Sequence, residues 1–272
     1  MARSIDPQPK AVRGFIPART DEERFLMRHI EDLAHTAFSR GIARYSCFLS
    51  DREQELARAA LGHADVHEGW RFDGGWPDAE RKVLCLEPEY SYGESPIRCV
   101  RLQCRALAGA AIPAHKDYLG SLMGLELRRE ALGDIVLPAD QPGTAYVFAL
   151  ETAAQLICQE LFQAGHTELT TEFLELDEVP EFPTAQREMR SATVSSLRLD
   201  AVLSAMLRCS RGQAAELIAA GRVEINHLPA EKPHAPVYEG DVFTVRGKGR
   251  FSLTALPGKS KKDRLIIEFF QY

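Results

Sequence analysis

Apolar residues recur at helical spacing in the first part of the chain. In residues 21–41, DEERFLMRHIEDLAHTAFSRG, they return every three or four positions, and Gly41 can end the helix. Ser50 and Glu53 have the spacing of a capping box, which predicts a second helix near Asp51–Leu61. The pattern therefore predicts a small, mainly helical N-terminal domain over residues 1–80, with a loose arm in the first ten residues.

Beyond residue 80 the pattern changes, and short alternating stretches separate the helices. A first strand is predicted from about Lys82 to Glu87. From Ile97 the expected order is strand, helix, strand, strand, helix, strand, in the stretches IRCVRLQCR, HKDYLGSLMGLELRREALG, DIVLP, TAYVFAL, ETAAQLICQELFQAG and TELTTEFLEL. This is the order of the RRM and ferredoxin-like folds. We expect an RRM-like α+β domain over residues 81–178.

A proline-containing acidic stretch, DEVPEFPTAQREM, predicts a linker before a third domain over residues 190–272. In this last domain, apolar residues from Leu199 to Leu207 mark one face of a helix. Ser210 and Gln213 form a capping box for a second helix, and Gly221 supplies the left-handed position that ends it. A short strand follows. The fold class is therefore α+β in three small domains.

Charge is unevenly spread along the 272 residues. Residues 193–272 carry 12 Lys and Arg against 8 Asp and Glu, whereas the whole chain has a net charge of −6. A basic C-terminal part favours a polyanionic partner there, and the acidic remainder argues against a general nucleic-acid coat. No run of 18 apolar residues predicts a membrane span. Six widely spaced cysteines without a C-x-x-C pair indicate reduced thiols in a cytoplasmic protein, with no zinc or redox site.

Arginines stand at both ends of the second C-terminal helix. Arg211 opens this helix, beside N–H groups that suit a phosphate, and Arg222 follows Gly221 at the other end. Arg198 opens the preceding helix, and Lys232 follows the short strand. Together these cations can line a polyanion surface, although any single one of them, taken alone, is more simply explained as a solvated surface charge.

The C-terminal pattern resembles the S4-type RNA-binding domain. The likeness rests on residues spread over about 60 positions, which are Arg198-Leu199-Asp200, Leu203, Ser210-Arg211, Ala214, Leu217-Ile218, Gly221, Val223, Asn226 and Glu239-Gly240-Asp241. Such domains bind structured RNA, often ribosomal or transfer RNA, and a recognition of shape and phosphates fits folded RNA.

Nearly the whole chain resembles the YlmH family. The stretches that carry this likeness are FDGGWPDAER, HKDYLGSLMGLELRREALGDI, VSSLRLDAVL and VRGKGRFSL. The resemblance implies an N-terminal domain, an RRM-like middle and an S4-type end, in a non-enzymatic protein without a cofactor or metal. It further implies binding to ribosomal RNA or tRNA on the large ribosomal subunit during rescue of stalled nascent chains, with links to cell division.

The resemblance and the spacing together give a set of candidate RNA-binding residues. These are Arg198, Ser210, Arg211, Gln213, Arg222, Asn226, Lys232, Arg246, Lys248 and Arg250. Secondary contacts with RNA or a partner are expected at His115, Lys116, Arg128 and Arg129. Two features depart from the family pattern: Lys248 adds a charge where an apolar or aromatic residue is expected, and Asn226-His227 replaces an Asn-Gly turn.

Several alternatives stay open at this stage. Arg198-Leu199-Asp200 is similar to the catalytic triplet of pseudouridine synthases, although capping explains Asp200 more simply. Tyr146 and Phe148 can pack in a core or stack on bases, and Gly120 and Gly124 can let a helix approach a sheet closely. His63 and His67 can be metal ligands or loop residues. A division-linked scaffold with incidental RNA affinity is the remaining rival, and the acidic N-terminal domains can offer a face to a protein partner.

Overall fold

The computed structural model describes residues 18–105, 112–183, 188–260 and 262–272. The predicted N-terminal arm lies outside the described residues, as do part of the predicted linker, residues 184–187, and Lys261. The described residues from 18 to 183 form one compact unit, and those from 188 onward form another.

The first unit begins with two helices and a small antiparallel sheet. Its elements are α1 Asp21–Arg40, β1 Arg44–Leu49, α2 Asp51–His63, β2 Trp70–Asp73 and β3 Lys82–Leu86. The strand order is β1-β3-β2. The prediction of a mainly helical N-terminal domain was therefore incomplete, because it did not include β1 and β2. It also grouped β3 with the middle of the chain, whereas β3 pairs with both of these strands.

Local signals place both helices where they were predicted. Thr20 accepts a hydrogen bond from the N–H of Glu23 at the start of α1, and Gly41 ends the helix with a φ of 63°. The carboxylate of Glu53 accepts a hydrogen bond from the backbone N–H of Ser50, as a capping box requires, and a second one from the Ser50 hydroxyl.

The middle of the first unit is a five-stranded antiparallel sheet with two helices. Its elements are β4 Ile97–Cys104, α3 His115–Gly124, β5 Leu132–Val136, β6 Thr144–Leu150, α4 Glu151–Glu160, β7 Gln163–Ala164 and β8 Thr167–Leu174. The strands lie in the order β5-β6-β4-β8-β7. The predicted order of elements is present, with β7 as an addition. Helix α3 ends before Arg128 and Arg129, because Glu126 takes a left-handed backbone with a φ of 59°.

The two faces of this middle sheet have different neighbours. One face packs Val100, Leu102 and Val147 against α3 and α4. The other face contributes Tyr146 and Phe148 to a core shared with the first sheet. Both segments of the first unit are thus joined through a common apolar layer.

The second unit places two short helices against a six-stranded sheet. Its elements are β9 Arg190–Val194, α5 Leu199–Leu207, α6 Arg211–Ala219, β10 Val223–Ile225, β11 Leu228–Pro229, β12 Val242–Val245, β13 Gly249–Lys259 and β14 Leu265–Gln271. The strand order is β11-β10-β12-β13-β14-β9. Leu203 and Met206 of α5 and Ile218 of α6 pack on Phe243 and Phe251 of the sheet. Both helices and the strand after them lie where the pattern predicted.

Across the described ranges, no helix combines the length and the apolar character that crossing a bilayer needs.

Candidate nucleic-acid interface

The turn between α5 and α6 is fixed by the predicted capping box. The Ser210 hydroxyl accepts from the N–H of Gln213 at 3.1 Å, and the Gln213 side-chain oxygen accepts from the N–H of Ser210 at 3.0 Å. This arrangement sets Arg211 in the first turn of α6. The roles of Ser210 and Gln213 in the structure are thus to shape the turn that presents Arg211.

Asp200 joins the starts of the two helices. Its Oδ2 accepts a 2.6 Å hydrogen bond from Nη2 of Arg211, and its Oδ1 accepts from Nε of Arg198 at 3.1 Å. Oδ1 also accepts from the backbone N–H of Ala201. The Asp200 side chain is only 9% exposed, whereas the side chains of Arg198 and Arg211 are 47% and 48% exposed. A buried acid therefore holds two half-exposed cations.

The two arginines set the charge state of Asp200. Burial acts to raise the pKa of Asp200, but the hydrogen bonds from Arg211 and Arg198 outweigh it and hold the pKa below the ordinary value of 3.8. Asp200 is therefore ionised at neutral pH. One negative charge faces two positive ones, which leaves the cluster cationic. Each guanidinium carries five N–H donors, so both retain donors for a further anion.

Lys232 lies in a loop that is tied to the same region. The backbone N–H of Asp200 donates to the carbonyl of Pro233, and that of Leu199 donates to the carbonyl of Ala235. Lys232 is exposed and directly precedes Pro233, the first of these two hydrogen-bond acceptors. Arg198, Arg211 and Lys232 are called the α5 cluster below.

A second group of cations lies at the far end of α6. Arg222 donates from Nη2 to the backbone oxygen of Arg246 at 2.9 Å, and the backbone N–H of Arg246 donates to the oxygen of Arg222. Lys248 stands in the same β12–β13 turn, and together with Arg222 it lines a surface pocket beside α6. Arg222, Arg246 and Lys248 are called the hairpin cluster below.

The predicted single basic surface is therefore two clusters. Arg211 shares a side of α6 with the buried Ala214 and Ile218, at the 100° turn per residue of an α-helix. Gln213 and Leu217, which line the pocket of the hairpin cluster, lie on the other side of the helix. The sequence analysis took the arginines at the two ends of α6 as one surface, because spacing along the chain does not show the direction of a side chain at a helix start.

The side chains of two further candidates, Asn226 and Arg250, contact other residues of the same domain. The Asn226 side chain donates to Asp241 and accepts from the N–H of Val242, both at distances under 3 Å. Asn226 and His227 have φ values of 48° and 63°, as a two-residue hairpin turn of type I′ requires, so His227 preserves the left-handed backbone expected of glycine.

Arg250 lies over the ring of Tyr272 at 4.5 Å. It pairs in register with Thr244, one position from the core residue Phe251, and so faces away from α5 and α6.

The S4 domain family matches residues 197–243, which contain α5, α6 and Asp200. A Bacillus subtilis protein named "Ribosome-associated protein quality control protein P2" is 38% identical over 223 residues, which cover 82% of this chain and 84% of that protein.

The chain belongs to the YlmH family.

A solved structure titled "Cell division protein ylmH from Streptococcus pneumoniae" also resembles this YlmH-family chain. It covers 61% of this chain and 98% of its own, at 14% identity and a TM-score of 0.47. Likeness at that level carries no argument about function.

The two middle motifs of this YlmH-family chain meet at Asp134. Its carboxylate accepts hydrogen bonds from Nε1 of Trp76 and from the backbone N–H groups of Glu80 and Arg81. Arg81 in turn donates to the backbone oxygens of Leu132, Phe48 and Arg129. The stretch FDGGWPDAER is thereby fastened to the end of the stretch HKDYLGSLMGLELRREALGDI, which gives both motifs a structural role.

The secondary candidates do not form one site. Arg129 donates to the backbone oxygens of Leu132 and Gly133 and so belongs to the Asp134 region, while Arg128 lies near Glu130.

His115 and Lys116 are exposed in the first turn of α3. In the same helix, apart from neighbouring residues and the helix's own backbone, no described atom lies within 4 Å of a Cβ built on Gly120 or Gly124. The expected close approach of these glycines to a sheet is wrong, since both face open space.

The residues considered for base stacking or metal binding also have partners within the protein. Phe148 is fully buried and Tyr146 is 3% exposed, with Phe182 and Trp76 packed on their rings, so neither presents a face for a base. His63 lies 3.3 Å from Glu31, and His67 lies 2.9 Å from Asp65. Among the described residues, no three His, Cys, Asp or Glu side chains group as metal ligands would.

The pairing of Asp200 with the two arginines was not predicted from the sequence. The position of Asp200 in a first helical turn favoured a cap, and its pairing with Arg211, eleven residues on, depends on the packing of α5 against α6. The sequence did contain one signal for this pairing: an acid, Asp200, lies at the start of α5, and an arginine lies at the start of each of the two helices, Arg198 and Arg211.

Proposed function

We propose that this protein binds RNA of the large ribosomal subunit, with tRNA as a further contact, through the α5 cluster of its S4 domain. The proposal extends to a role in rescue of stalled nascent chains, in line with the name of its Bacillus subtilis relative. The S4 match over residues 197–243 supports RNA binding, and the family membership supports association with ribosomes.

One observation carries this proposal: a buried carboxylate holds two half-exposed guanidinium groups at the starts of two packed helices. The pairing orients Arg198 and Arg211 before RNA arrives, so less side-chain entropy is lost on binding. Because two positive charges meet one negative charge, the cluster still attracts phosphates. Charge-assisted, bidentate contacts to phosphate are the contacts that guanidinium groups make best.

For the rest of the chain we propose a positioning role. The middle sheet follows the strand–helix order of RRM-like folds, but Tyr146 and Phe148 on its helix-free face lie under Trp76 and Phe182. A covered face does not stack bases. The excess of acids outside residues 193–272 suits contact with a basic protein surface better than contact with RNA.

The alternative of an RNA-modifying enzyme has less support. A catalytic aspartate must reach a flipped-out base, whereas the Asp200 carboxylate is buried and bound by two arginines and a backbone N–H. We therefore propose that Asp200 organises the interface and that the protein is not an enzyme.

Sedimentation through sucrose gradients tests this proposal. Purified protein is mixed with separated small and large ribosomal subunits over a series of salt concentrations. The proposal expects co-sedimentation with large subunits in moderate salt and release at high salt, because phosphate contacts dominate the affinity. Protein that stays at the top of the gradient at every salt concentration contradicts it.

A further inference from the structure

A pocket of about 390 Å³ lies on the outer side of α6, apart from the α5 cluster. Its floor is apolar: Leu207 at the end of α5 and Leu217 and Ala220 of α6 line it. Both leucines are only partly buried and so offer apolar surface to a ligand. Small-molecule pockets have volumes of roughly 300–1,000 Å³, so this one is large enough for a single nucleotide.

Two cations stand at the rim of this pocket. Arg222 is held by its 2.9 Å hydrogen bond to the backbone oxygen of Arg246. Gly247, with a φ of 79°, lets the turn pass beneath the guanidinium: a Cβ built on it would lie 3.2 Å from Nη2 of Arg222. Lys248 follows in the same turn. One fixed and one flexible cation beside an apolar floor suit a phosphate attached to a flat ring.

The pocket also contains a carboxylate, which a surface for phosphates alone does not need. Glu216 lines it, and among the described residues its side chain makes no hydrogen bond or ion pair. Gln213 lines the neighbouring wall and uses its side-chain oxygen in the capping box. An acid among cations weakens general attraction to a polyanion, but it can accept hydrogen bonds from a ligand that carries donors.

We infer that this pocket takes one unstacked nucleotide of a bound RNA, and that its base is guanine. The inference rests on the proposed RNA binding and adds a second, base-reading contact to the α5 cluster. The leucine floor covers one face of the ring, and Arg222 and Lys248 contact the phosphate. Folded RNA is generally read at such splayed-out bases, through their stacking faces and Watson–Crick edges.

Glu216 supplies the preference for guanine. Guanine presents two adjacent donors on its Watson–Crick edge, the N1–H and the 2-amino group, and a carboxylate accepts both at once. Uracil presents one donor between two carbonyl oxygens, which repel a carboxylate. A good bidentate pair discriminates between bases, so a guanine preference of about tenfold, equivalent to about 1.4 kcal/mol, is expected.

The test uses the full chain and three fluorescent RNA hairpins that differ at one position. One carries a single bulged guanosine, one a bulged uridine and one no bulge, and fluorescence anisotropy gives the Kd of each. We expect the bulged guanosine to bind about tenfold tighter than the other two. The variant Glu216→Gln is expected to reduce this preference to about twofold by weakening binding of the bulged-guanosine hairpin, while binding of the unbulged hairpin stays equal or becomes tighter.

The sign of the Glu216→Gln effect separates base reading from general electrostatics. Loss of a negative charge strengthens binding to every RNA if Glu216 only repels phosphates, and that outcome overturns the inference. Glu224→Gln in β10, outside the pocket, is the matched control and is expected to retain the tenfold preference. Loss of the preference in both variants also overturns it.

Two results distinguish this inference from the proposed function. Equal and measurable affinity of the wild-type chain for all three hairpins removes the guanine pocket and leaves RNA binding in place. No measurable binding of any hairpin or of large subunits removes both. As a second measurement, bulged-guanosine RNA is expected to protect Cys209, which lines the pocket, from alkylation more strongly than the unbulged hairpin does at equal occupancy, while exposed Cys47 in the first unit stays reactive. Equal protection of Cys209 by the bulged-guanosine and unbulged hairpins contradicts the pocket.

Discussion

Asp200 and Arg211 are joined by a 2.6 Å hydrogen bond that fastens the start of α5 to the start of α6. Arg198 binds the other oxygen of the same carboxylate. This arrangement connects the stability of the domain to its function, because the residue that holds the helices together also orients the two cations.

Substitution Asp200→Asn is expected to lower the free energy of unfolding of the chain by about 1–3 kcal/mol. The amide cannot accept charge-assisted hydrogen bonds from both arginines, and the site is buried. RNA affinity is expected to fall as well, although the variant is more positive, because the guanidinium groups lose their fixed orientation. Urea unfolding and anisotropy titration measure the two effects, and unchanged stability would contradict the assigned role of Asp200.

The low pKa of Asp200 predicts a pH dependence with a definite sign. A carboxyl whose pKa is lower in the folded state than in the unfolded state stabilises the fold at pH values above the unfolded pKa. This contribution disappears as the pH falls from the ordinary value of 3.8 through the lower folded value. The stability difference between wild type and Asp200→Asn should therefore be full near neutral pH and shrink in strong acid. A difference that stays constant with pH argues against an ionised Asp200.

Single substitutions Arg198→Gln and Arg211→Gln are each expected to weaken RNA binding by several-fold. Each lost phosphate contact should reduce the slope of log K against log salt by about 1. Arg250→Gln is the charge-matched control, since Arg250 lies over Tyr272 on the other face of the sheet. Salt titrations of the three variants check this, and an equal loss of slope in Arg250→Gln would show that only net charge matters.

Substitution Asp134→Ala is expected to lower the stability of the first unit by about 2–4 kcal/mol, since it leaves three donors without their acceptor. The fluorescence of Trp76, whose Nε1 loses its partner, reports the change. Asp140→Ala, at an exposed loop position, should stay within about 0.5 kcal/mol of wild type. RNA affinity of the folded Asp134→Ala protein should not change.

Phe148→Ala is expected to destabilise the first unit by about 3–5 kcal/mol, because the ring is fully buried between two sheets. RNA affinity measured where the variant is still folded should equal that of wild type. A loss of RNA affinity without a loss of stability would instead restore a base-stacking role for this sheet.

Local signals in the sequence were enough to place most of the helices. Glu53 behind Ser50 and Gln213 behind Ser210 are complete capping boxes, and Gly221 has the left-handed backbone expected of a helix end. What the sequence did not show depends on contacts between distant residues. Strand β2, which the pattern of apolar residues did not predict, exists because β3 pairs with it, and the division of the cations into two clusters follows from the packing of α5 on α6.

The most direct test of the central claim reverses both charges that Asp200 holds. The double variant Arg198→Glu, Arg211→Glu is compared with wild type in gradients containing large ribosomal subunits at moderate salt, after circular dichroism and melting show that it is folded. We predict that wild type travels with the large subunits and that the folded double variant stays at the top. A folded double variant that travels with the subunits as wild type does would contradict the claim.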